Sequence, residues 1–296
     1  MSNVKKYFLC LLVITLVVGA GVGSYLYTDS RNSSEEMNEL SVVAHSNNVN
    51  DSATVAKAST GTVTKTSSGT VNKVSAETGT NNNVAGNGTT GAATTTQNGK
   101  LPVDIQTLQK ANPDIIAWVT VPGTVIDYPI CQHPTDDSYY LKHGPEGMKS
   151  SHGCPFIEVC DSKTFQDYNT VVYGHNMNDG SMFAGLHKFE NKKFLDEHRE
   201  ITVTTADHVM TYKIFAAVMY SDKYIPYYFD DTKKADRTAF IKSLSTDIVK
   251  KRSIVLSDEK VTDANKVIAL STCDKKLRDK RFIVVGVLKQ IDGADV

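Results

Sequence analysis

The sequence has no excess of charge of either sign and no cysteine spacing typical of a metal site. Its 296 residues carry 32 basic and 33 acidic side chains, a net charge of -1. Nucleic acids and other polyanions are bound through broad basic surfaces, so this composition argues against such partners. The five cysteines include no C-x-x-C pair, which argues against a zinc site or a redox dithiol. We therefore expect no metal, no cofactor and at least one thiol that is unpaired within the chain.

Charged side chains are absent from residues 7–27. A helix of this length, at ~1.5 Å per residue, spans the roughly 30 Å of a membrane's hydrocarbon core. Lys5 and Lys6 precede the segment and Asp29 is the first charged residue after it, so the amino terminus is predicted to be cytoplasmic and the rest exported. A cleaved signal peptide is the alternative, although its apolar region would be shorter. We predict a cytoplasmic stub and single-pass anchor over residues 1–28.

Residues 29–100 lack the side chains that build a folded core. Ser, Thr, Asn, Gly and Ala dominate, and residues 52–100 contain no aromatic residue and no proline. Such a segment cannot bury enough apolar surface to offset its loss of chain entropy. We predict a low-complexity, disordered tether whose ~70 residues have a reach of about 45 Å, which would hold the domain of residues 101–296 away from the membrane.

Short apolar runs dominate residues 101–296. Strands are predicted at 115–121, 125–131, 153–159, 170–173, 201–205, 209–220, 267–272 and 281–289. Helices are predicted at 103–110, within 183–198 and within 233–249. Many short strands with few helices favour a mostly β domain built as a closed barrel with inserted helices.

Cys273 ends the apolar run Val267–Thr272 and opens a charged loop. A thiol at a strand end beside a basic loop is partly exposed, and the nearby positive charge favours the thiolate, which is the attacking form. The local sequence fits equally well a small buried cysteine, the usual environment of a free thiol. Cys273 is therefore a candidate nucleophile that requires a partner.

His175 occupies a similar position after the apolar run Thr170–Tyr173, and Gly174 before it allows the backbone to turn closely. A histidine there can meet a strand-end cysteine at one rim of a barrel. Six other histidines lie in polar or helical surroundings where we expect solvent exposure: His133, His143, His152, His187, His198 and His208.

An arginine is the third candidate, because a thiolate that attacks a carbonyl creates an oxyanion that a guanidinium can stabilise. Arg278 and Arg281 both lie near Cys273 in the sequence. Arg281 opens an apolar strand, whereas Arg278 lies in the loop. We favour Arg281, since side chains on regular elements hold their geometry better.

Together these motifs resemble the sortase family of cysteine transpeptidases. They are Tyr-Gly-His-Asn-Met at 173–177, Leu-Ser-Thr-Cys at 270–273 and Arg281 before an apolar strand, in that order and behind an export anchor. The resemblance covers about residues 102–290. The long segment between Tyr220 and Val267, with its own helix, and the helix before the first strand are similar to class B sortases.

The resemblance implies an eight-stranded barrel that cuts the carboxy-terminal sorting signal of exported proteins after its threonine. Cys273 would form a thioacyl intermediate, His175 would protonate the leaving amine, and Arg281 would stabilise the oxyanion. The acyl group would then pass to an amine of peptidoglycan. The same resemblance implies a peptide groove lined by Leu141, Tyr224, Ile225 and Ser271.

Two alternatives remain from the sequence. Ser-His-Gly-Cys at 151–154 is similar to the motif of L,D-transpeptidases, which would make Cys154 the nucleophile, but Pro155 follows where that family has Ile-Arg. A tethered surface-binding domain with inert thiols is the non-enzymatic alternative. Thiol labelling separates them, since only an enzyme should contain one hyper-reactive cysteine.

The predicted topology is open to a direct measurement. If residues 7–27 form the anchor with the basic flank inside, protease added to intact, wall-stripped cells should remove the domain of residues 101–296, as followed by immunoblotting. A cytoplasmic marker should stay intact in the same cells. Protection of both proteins would contradict an exported domain.

Overall fold

The computed structural model describes Ser33, residues 35–45 and residues 101–296. The predicted membrane anchor at residues 7–27 and most of the predicted tether lie outside these residues. Within the part of the chain that is described, no helix is long and apolar enough to cross a membrane.

The described residues form a mostly β domain around one sheet of nine strands. The strands are β1 Ile115–Thr120, β2 Asp127–Cys131, β3 Asn169–Tyr173, β4 Glu200–Thr205, β5 Val209–Ser221, β6 Ile254–Val255, β7 Val267–Cys273, β8 Lys280–Ile291 and β9 Ala294–Asp295. Seven of them run in the order β2-β1-β4-β5-β8-β7-β3, with β6 beside β5 and β9 beside β8. Neighbouring strands are antiparallel except for β3 and β7, which are parallel.

The two ends of this seven-strand path meet at Phe156. Its backbone makes a bridge to Cys131 in β2 and another to Tyr173 in β3, so the sheet curls towards closure. The predicted strand at 153–159 is therefore wrong as a continuous strand, and only isolated bridges stand in place of the eighth barrel strand. Pro155 has no N–H to donate, and Gly153 has φ +61°, outside the strand region.

Helices lie around the sheet. They are α1 at 35–45, α2 Ile105–Ala111, α3 Lys192–Glu197, α4 Ile225–Tyr228 and α5 Lys234–Thr246, with 3-10 turns at Tyr139–Leu141, Phe183–Glu190 and Lys250–Arg252. The helical stretch predicted within 183–198 divides at Asn191. The Asn191 side chain accepts hydrogen bonds from the N–H groups of Lys193 and Phe194, so it caps α3 and starts a new helix.

The central strands are apolar along their whole length because both of their faces are buried. In β7, Ile268 and Leu270 pack into one core cluster, whereas Val267 and Ala269 pack into a second. The second cluster includes Phe240 and Leu244 of α5, which covers the outer face of the sheet. Side chains alternate along a strand, so a continuous apolar run is what a sheet covered on both faces requires.

Helix α1 lies within the segment predicted to be a disordered tether. Met37, Leu40 and Ala44 lie on one side of the helix and are buried against a cluster that includes Trp118 and Tyr140. The Ser33 and Ser150 hydroxyls lie 2.7 Å apart. Three apolar residues at helical spacing are enough to dock a helix when the surface that they contact is already folded. The prediction missed this short pattern because it was based on the average composition of residues 29–100.

Candidate active site

A cavity of about 390 Å³ opens where β3 and β7 end and β8 begins. It contains in its lining every side chain that the sequence singled out for catalysis or peptide binding: Leu141, His175, Tyr224, Ile225, Ser271, Cys273 and Arg281. These residues come from five separate stretches of the chain. We call this space the catalytic cavity.

Parallel pairing between β3 and β7 carries His175 and Cys273 to the same rim. Tyr173 is paired with Ser271, and the Gly174 N–H donates to the Ser271 carbonyl at 3.0 Å. The Thr272 hydroxyl in turn donates to the Gly174 carbonyl at 2.7 Å. His175 and Cys273 therefore lie at equivalent positions on the two chains, each two residues beyond the paired residues Tyr173 and Ser271.

The His175 ring is held by the backbone of Leu141. Its Nε2 lies 2.8 Å from the Leu141 carbonyl oxygen. Because a carbonyl only accepts, Nε2 carries the proton, and Nδ1 of the neutral ring is the nitrogen available for proton transfer. Gly153 makes this approach possible, since a Cβ there would lie 2.4 Å from the Tyr140 carbonyl oxygen and 3.2 Å from the His175 ring.

Arg281 is the direct cross-strand partner of Cys273 in the β7–β8 pair. Opposed residues of an antiparallel pair present their side chains on the same face, with Cβ atoms about 5 Å apart. The Arg281 Nη1 donates to the Lys280 carbonyl at 3.0 Å and to the Arg278 carbonyl at 3.4 Å. Arg278 is exposed in the loop and does not line the catalytic cavity.

A polar network that the sequence did not reveal supports the backbone of Cys273. The Cys273 carbonyl accepts from the Asn176 side-chain amide at 2.8 Å and lies 3.2 Å from His187 Nε2. His187 Nδ1 lies 2.9 Å from a Glu190 oxygen. Asn176 directly follows His175 in the sequence, so its place in the site could have been predicted. No local sequence feature of His187 indicates that it belongs to the site.

Arg252 joins this network to the loop after Cys273. Its guanidinium donates to both Glu190 oxygens at 2.7 and 2.6 Å and to Asp274 at 2.8 Å. Asp274 is buried, which would raise its pKa, but the hydrogen bonds from Arg252 and from the Leu277 and Lys276 N–H groups hold the pKa at about 2. The loop therefore leaves the strand along a fixed path.

Glu158 is a second feature that the sequence did not reveal. It is 7% exposed and lines the catalytic cavity, where Tyr173 donates to it at 3.5 Å and Tyr224 is hydrogen-bonded to it. Burial raises its pKa to about 7 despite these bonds. The carboxyl group thus ties two aromatic walls of the cavity together.

Cys154, the nucleophile of the alternative reading, is buried away from this cavity. It is 3% exposed, and its sulphur lies 3.4 Å from that of Cys131. Burial raises the pKa of the Cys154 thiol well above its ordinary value, which disfavours the thiolate. The expectation that His152 is solvent-exposed is also wrong, since it is 2% exposed, with Nε2 3.0 Å from Asp179.

Comparison with known proteins agrees with this geometry. The model of the Sortase domain family matches residues 119–289. Sortase B of Listeria monocytogenes is 37% identical over 199 residues, which are 67% of this chain and 78% of that protein. The structure of Clostridium perfringens sortase B has a TM-score of 0.56 at 26% identity and covers 62% of this chain and 99% of its own. A Staphylococcus aureus sortase B–substrate complex has a TM-score of 0.55 at 26% identity, covering 63% and 84%.

The chain therefore belongs to the sortase family, the class of cysteine transpeptidases. Its similarity to sortase B proteins in both sequence and structure places it in class B, so it is a cell-wall sorting transpeptidase.

The Asp274 contacts predict a pH-dependent contribution to stability. Asp274→Asn should lower the free energy of unfolding at pH 7 by about 2 kcal/mol, because it weakens charged hydrogen bonds in a buried position. A carboxyl whose folded pKa is lowered stabilises the protein above its unfolded value near 4, and that contribution is lost as the pH falls towards 2. Urea unfolding at pH 7, 4 and 3 should show the difference between wild type and variant shrinking.

Asp279→Asn is the matched control, because Asp279 lies in the same loop and is 70% exposed. It should change the free energy of unfolding by less than ~0.5 kcal/mol. Equal costs for the two variants at pH 7 would contradict a special role for Asp274.

Proposed function

We propose that Cys273 is the nucleophile of this transpeptidase, with His175 as its general acid and base and Arg281 as the oxyanion donor. The observation that carries the proposal is the strand register, which aligns His175 with Cys273 across β3–β7 and Arg281 with Cys273 across β7–β8. Three independent side chains thereby face one cavity around the point where a peptide carbonyl would lie.

The reaction follows from these positions. His175 Nδ1 accepts the thiol proton, and the Cys273 sulphur attacks the carbonyl carbon of the sorting signal. Arg281 stabilises the oxyanion as it forms. The C–N bond then breaks, and the proton on His175 passes to the leaving amine, which leaves a thioester on Cys273. An incoming wall amine then attacks the thioester and gives a proton to His175. The C–S bond breaks as the amide forms, and the Cys273 thiolate takes that proton back from His175.

The bound peptide is proposed to lie along Leu141, Tyr224, Ile225 and Ser271. Tyr224 and Leu141 are 40% and 37% exposed at the cavity, whereas Ile225 and Ser271 are buried in its floor. Leu141 would have two roles, because its side chain lines the groove and its carbonyl is hydrogen-bonded to His175. Glu158 would keep the Tyr224 ring in place through their hydrogen bond.

The membrane anchor is proposed at residues 7–27, with the enzyme outside the cell membrane. Helix α1 begins only eight residues after that segment ends. Eight extended residues reach at most ~28 Å, so a domain that carries α1 docked would stay within that distance of the membrane.

The choice of arginine can be tested by paired substitutions. Arg281→Lys should lower kcat for cleavage of a sorting peptide by about 100-fold with little change in KM, because the forked donor serves the transition state more than the bound peptide. Arg278→Lys is the matched control in the adjacent loop and should change kcat less than about threefold. The opposite ranking in steady-state kinetics would assign the role to Arg278.

Transfer can be distinguished from hydrolysis by product analysis. With Cys273 intact, rising concentrations of a wall-type amine should convert hydrolysed peptide into amide-linked product, because an amine held beside the thioester has a higher effective concentration than bulk solvent would give it. Cys273→Ala should form neither product. Chromatography against diaminopimelate, lysine and short glycine peptides makes the measurement, and cleavage without any amide product would identify a protease.

A further inference from the structure

A second cavity, of about 360 Å³, lies beside the catalytic cavity, and we call it the α4 pocket. The short helix α4 separates the two, and Ile225 lines both of them. The turn after Phe156 also lines both cavities, because Glu158 lines the catalytic cavity while Cys160 and Asp161 line the α4 pocket.

Three buried polar atoms that belong to residues lining this pocket have no hydrogen-bond partner among the described residues. They are Oδ2 of Asp161, Oδ1 of Asn169 and Nε of Arg237. Asp161 and Asn169 are each only 9% exposed. A buried polar atom without a partner costs about 1–3 kcal/mol, so three around one cavity are unusual unless something else satisfies them.

The remaining charged groups around the pocket already have partners. The carboxylate of Asp167 accepts from the Ser162 N–H at 2.5 Å, and that of Asp231 accepts from the Tyr168 N–H at 3.2 Å. The guanidinium carbon of Arg237 lies 5.3 Å from the centre of the Tyr168 ring. The lining of the pocket therefore includes two unused acceptor atoms, on Asp161 and Asn169, and one unused donor, on Arg237.

We propose that the α4 pocket binds a zwitterionic α-amino acid group, with the ammonium on Asp161 and Asn169 and the carboxylate on Arg237. A ligand that carries both charges on one carbon satisfies acceptors and donor together, which neither a simple amine nor a simple acid does. A metal ion fits less well, because the described residues contain no metal-type group of three acidic, histidine or cysteine side chains.

Such a group occurs in free amino acids and in the uncross-linked diamino acid of a wall peptide. The second source rests on the proposed function, since a wall peptide is the acceptor of the transfer reaction. That group contains the free amine of its own peptide, so the pocket would hold one wall peptide while another wall peptide supplies the attacking amine. Asn169 and Tyr173 lie at the two ends of β3, four residues or roughly 13 Å apart, and only Tyr173 lines the catalytic cavity.

Calorimetric titration of the exported part of the chain, residues 29–296, with three matched compounds tests the charge requirement. Diaminopimelate carries both groups, cadaverine lacks its carboxylates and pimelate lacks its ammonium groups. Diaminopimelate should bind at least about tenfold more tightly than either relative, because each relative lacks one of the two kinds of charged contact. Equal binding of cadaverine, binding of calcium in its place, or no binding of diaminopimelate would overturn the proposal.

Two further ligands distinguish a free amino acid from a wall peptide as the natural ligand. Alanine that binds as well as diaminopimelate would identify a free amino acid as the ligand. A muramyl peptide containing diaminopimelate that binds much more tightly than either would identify the wall peptide. Hydrolysis of a sorting peptide is measured in parallel, so loss of binding with hydrolysis intact refutes the pocket assignment alone, and absence of hydrolysis refutes the proposed function.

Asp161→Asn and Arg237→Gln should each weaken diaminopimelate binding by about tenfold or more while leaving hydrolysis unchanged. The two residues lie on different elements, so damage to the fold at one site leaves the other informative. Asp196→Asn, on the surface of α3 and paired with Lys192, is the control for the change in net charge. Unchanged affinity in both pocket variants would overturn the assignment.

The pH dependence adds an independent readout. Burial, together with the carboxylates of Glu158 and Asp167, raises the pKa of Asp161 to about 8. Binding that needs the carboxylate should therefore strengthen about 25-fold between pH 6.5 and 8.5. The other titratable or charged groups that line the pocket or interact with Asp161 are Glu158, Cys160, Asp167, Tyr168, Tyr173, Tyr227, Asp230, Asp231 and Arg237. Loss of the pH dependence in Asp161→Asn assigns it to this residue, and its persistence there would contradict the proposal.

Discussion

Parallel pairing of β3 with β7 is the constraint on which the rest of the site depends. The two strands are almost a hundred residues apart in the sequence, yet backbone hydrogen bonds fix their relative position to the residue. A shift by one residue would turn every side chain of the strand to the other face, which the two buried cores forbid. The same cores that stabilise the domain therefore determine that His175 and Cys273 meet.

Polar contacts outside the sheet position the side chains that the strand register brings together. The Leu141 carbonyl selects the tautomer of His175, and the chain of Glu190, Arg252 and Asp274 fixes the path of the backbone after Cys273. Glu190, Arg252 and Asp274 do not line the catalytic cavity, and the effect of all these contacts is to reduce the number of arrangements that His175 and Cys273 can adopt. Catalytic side chains at strand ends need such support, because the ladder of hydrogen bonds stops there.

Docking of α1 changes how the chain is organised outside the barrel. The sequence average over residues 29–100 is that of a disordered segment, and the predicted tether followed from that average. Met37, Leu40 and Ala44 pack into a cluster that also contains Tyr140, the residue before Leu141. The helix that precedes the long low-complexity segment thus contacts the same loop that positions His175.

By itself, the sequence determined most strand positions, the candidate residues and the family, because apolar periodicity and strand-end motifs are local properties. It failed at the strand predicted over 153–159, where Pro155 and Gly153 reduce the pairing to bridges, and at His152, whose burial depends on distant packing. Only the tertiary structure decided that Arg281 opposes Cys273, that Leu141 holds His175 and that Glu158, Asp161 and Arg237 face cavities. The physical reason is that such contacts join residues far apart in the chain, and their geometry is set by strand register and core packing, which no single segment encodes.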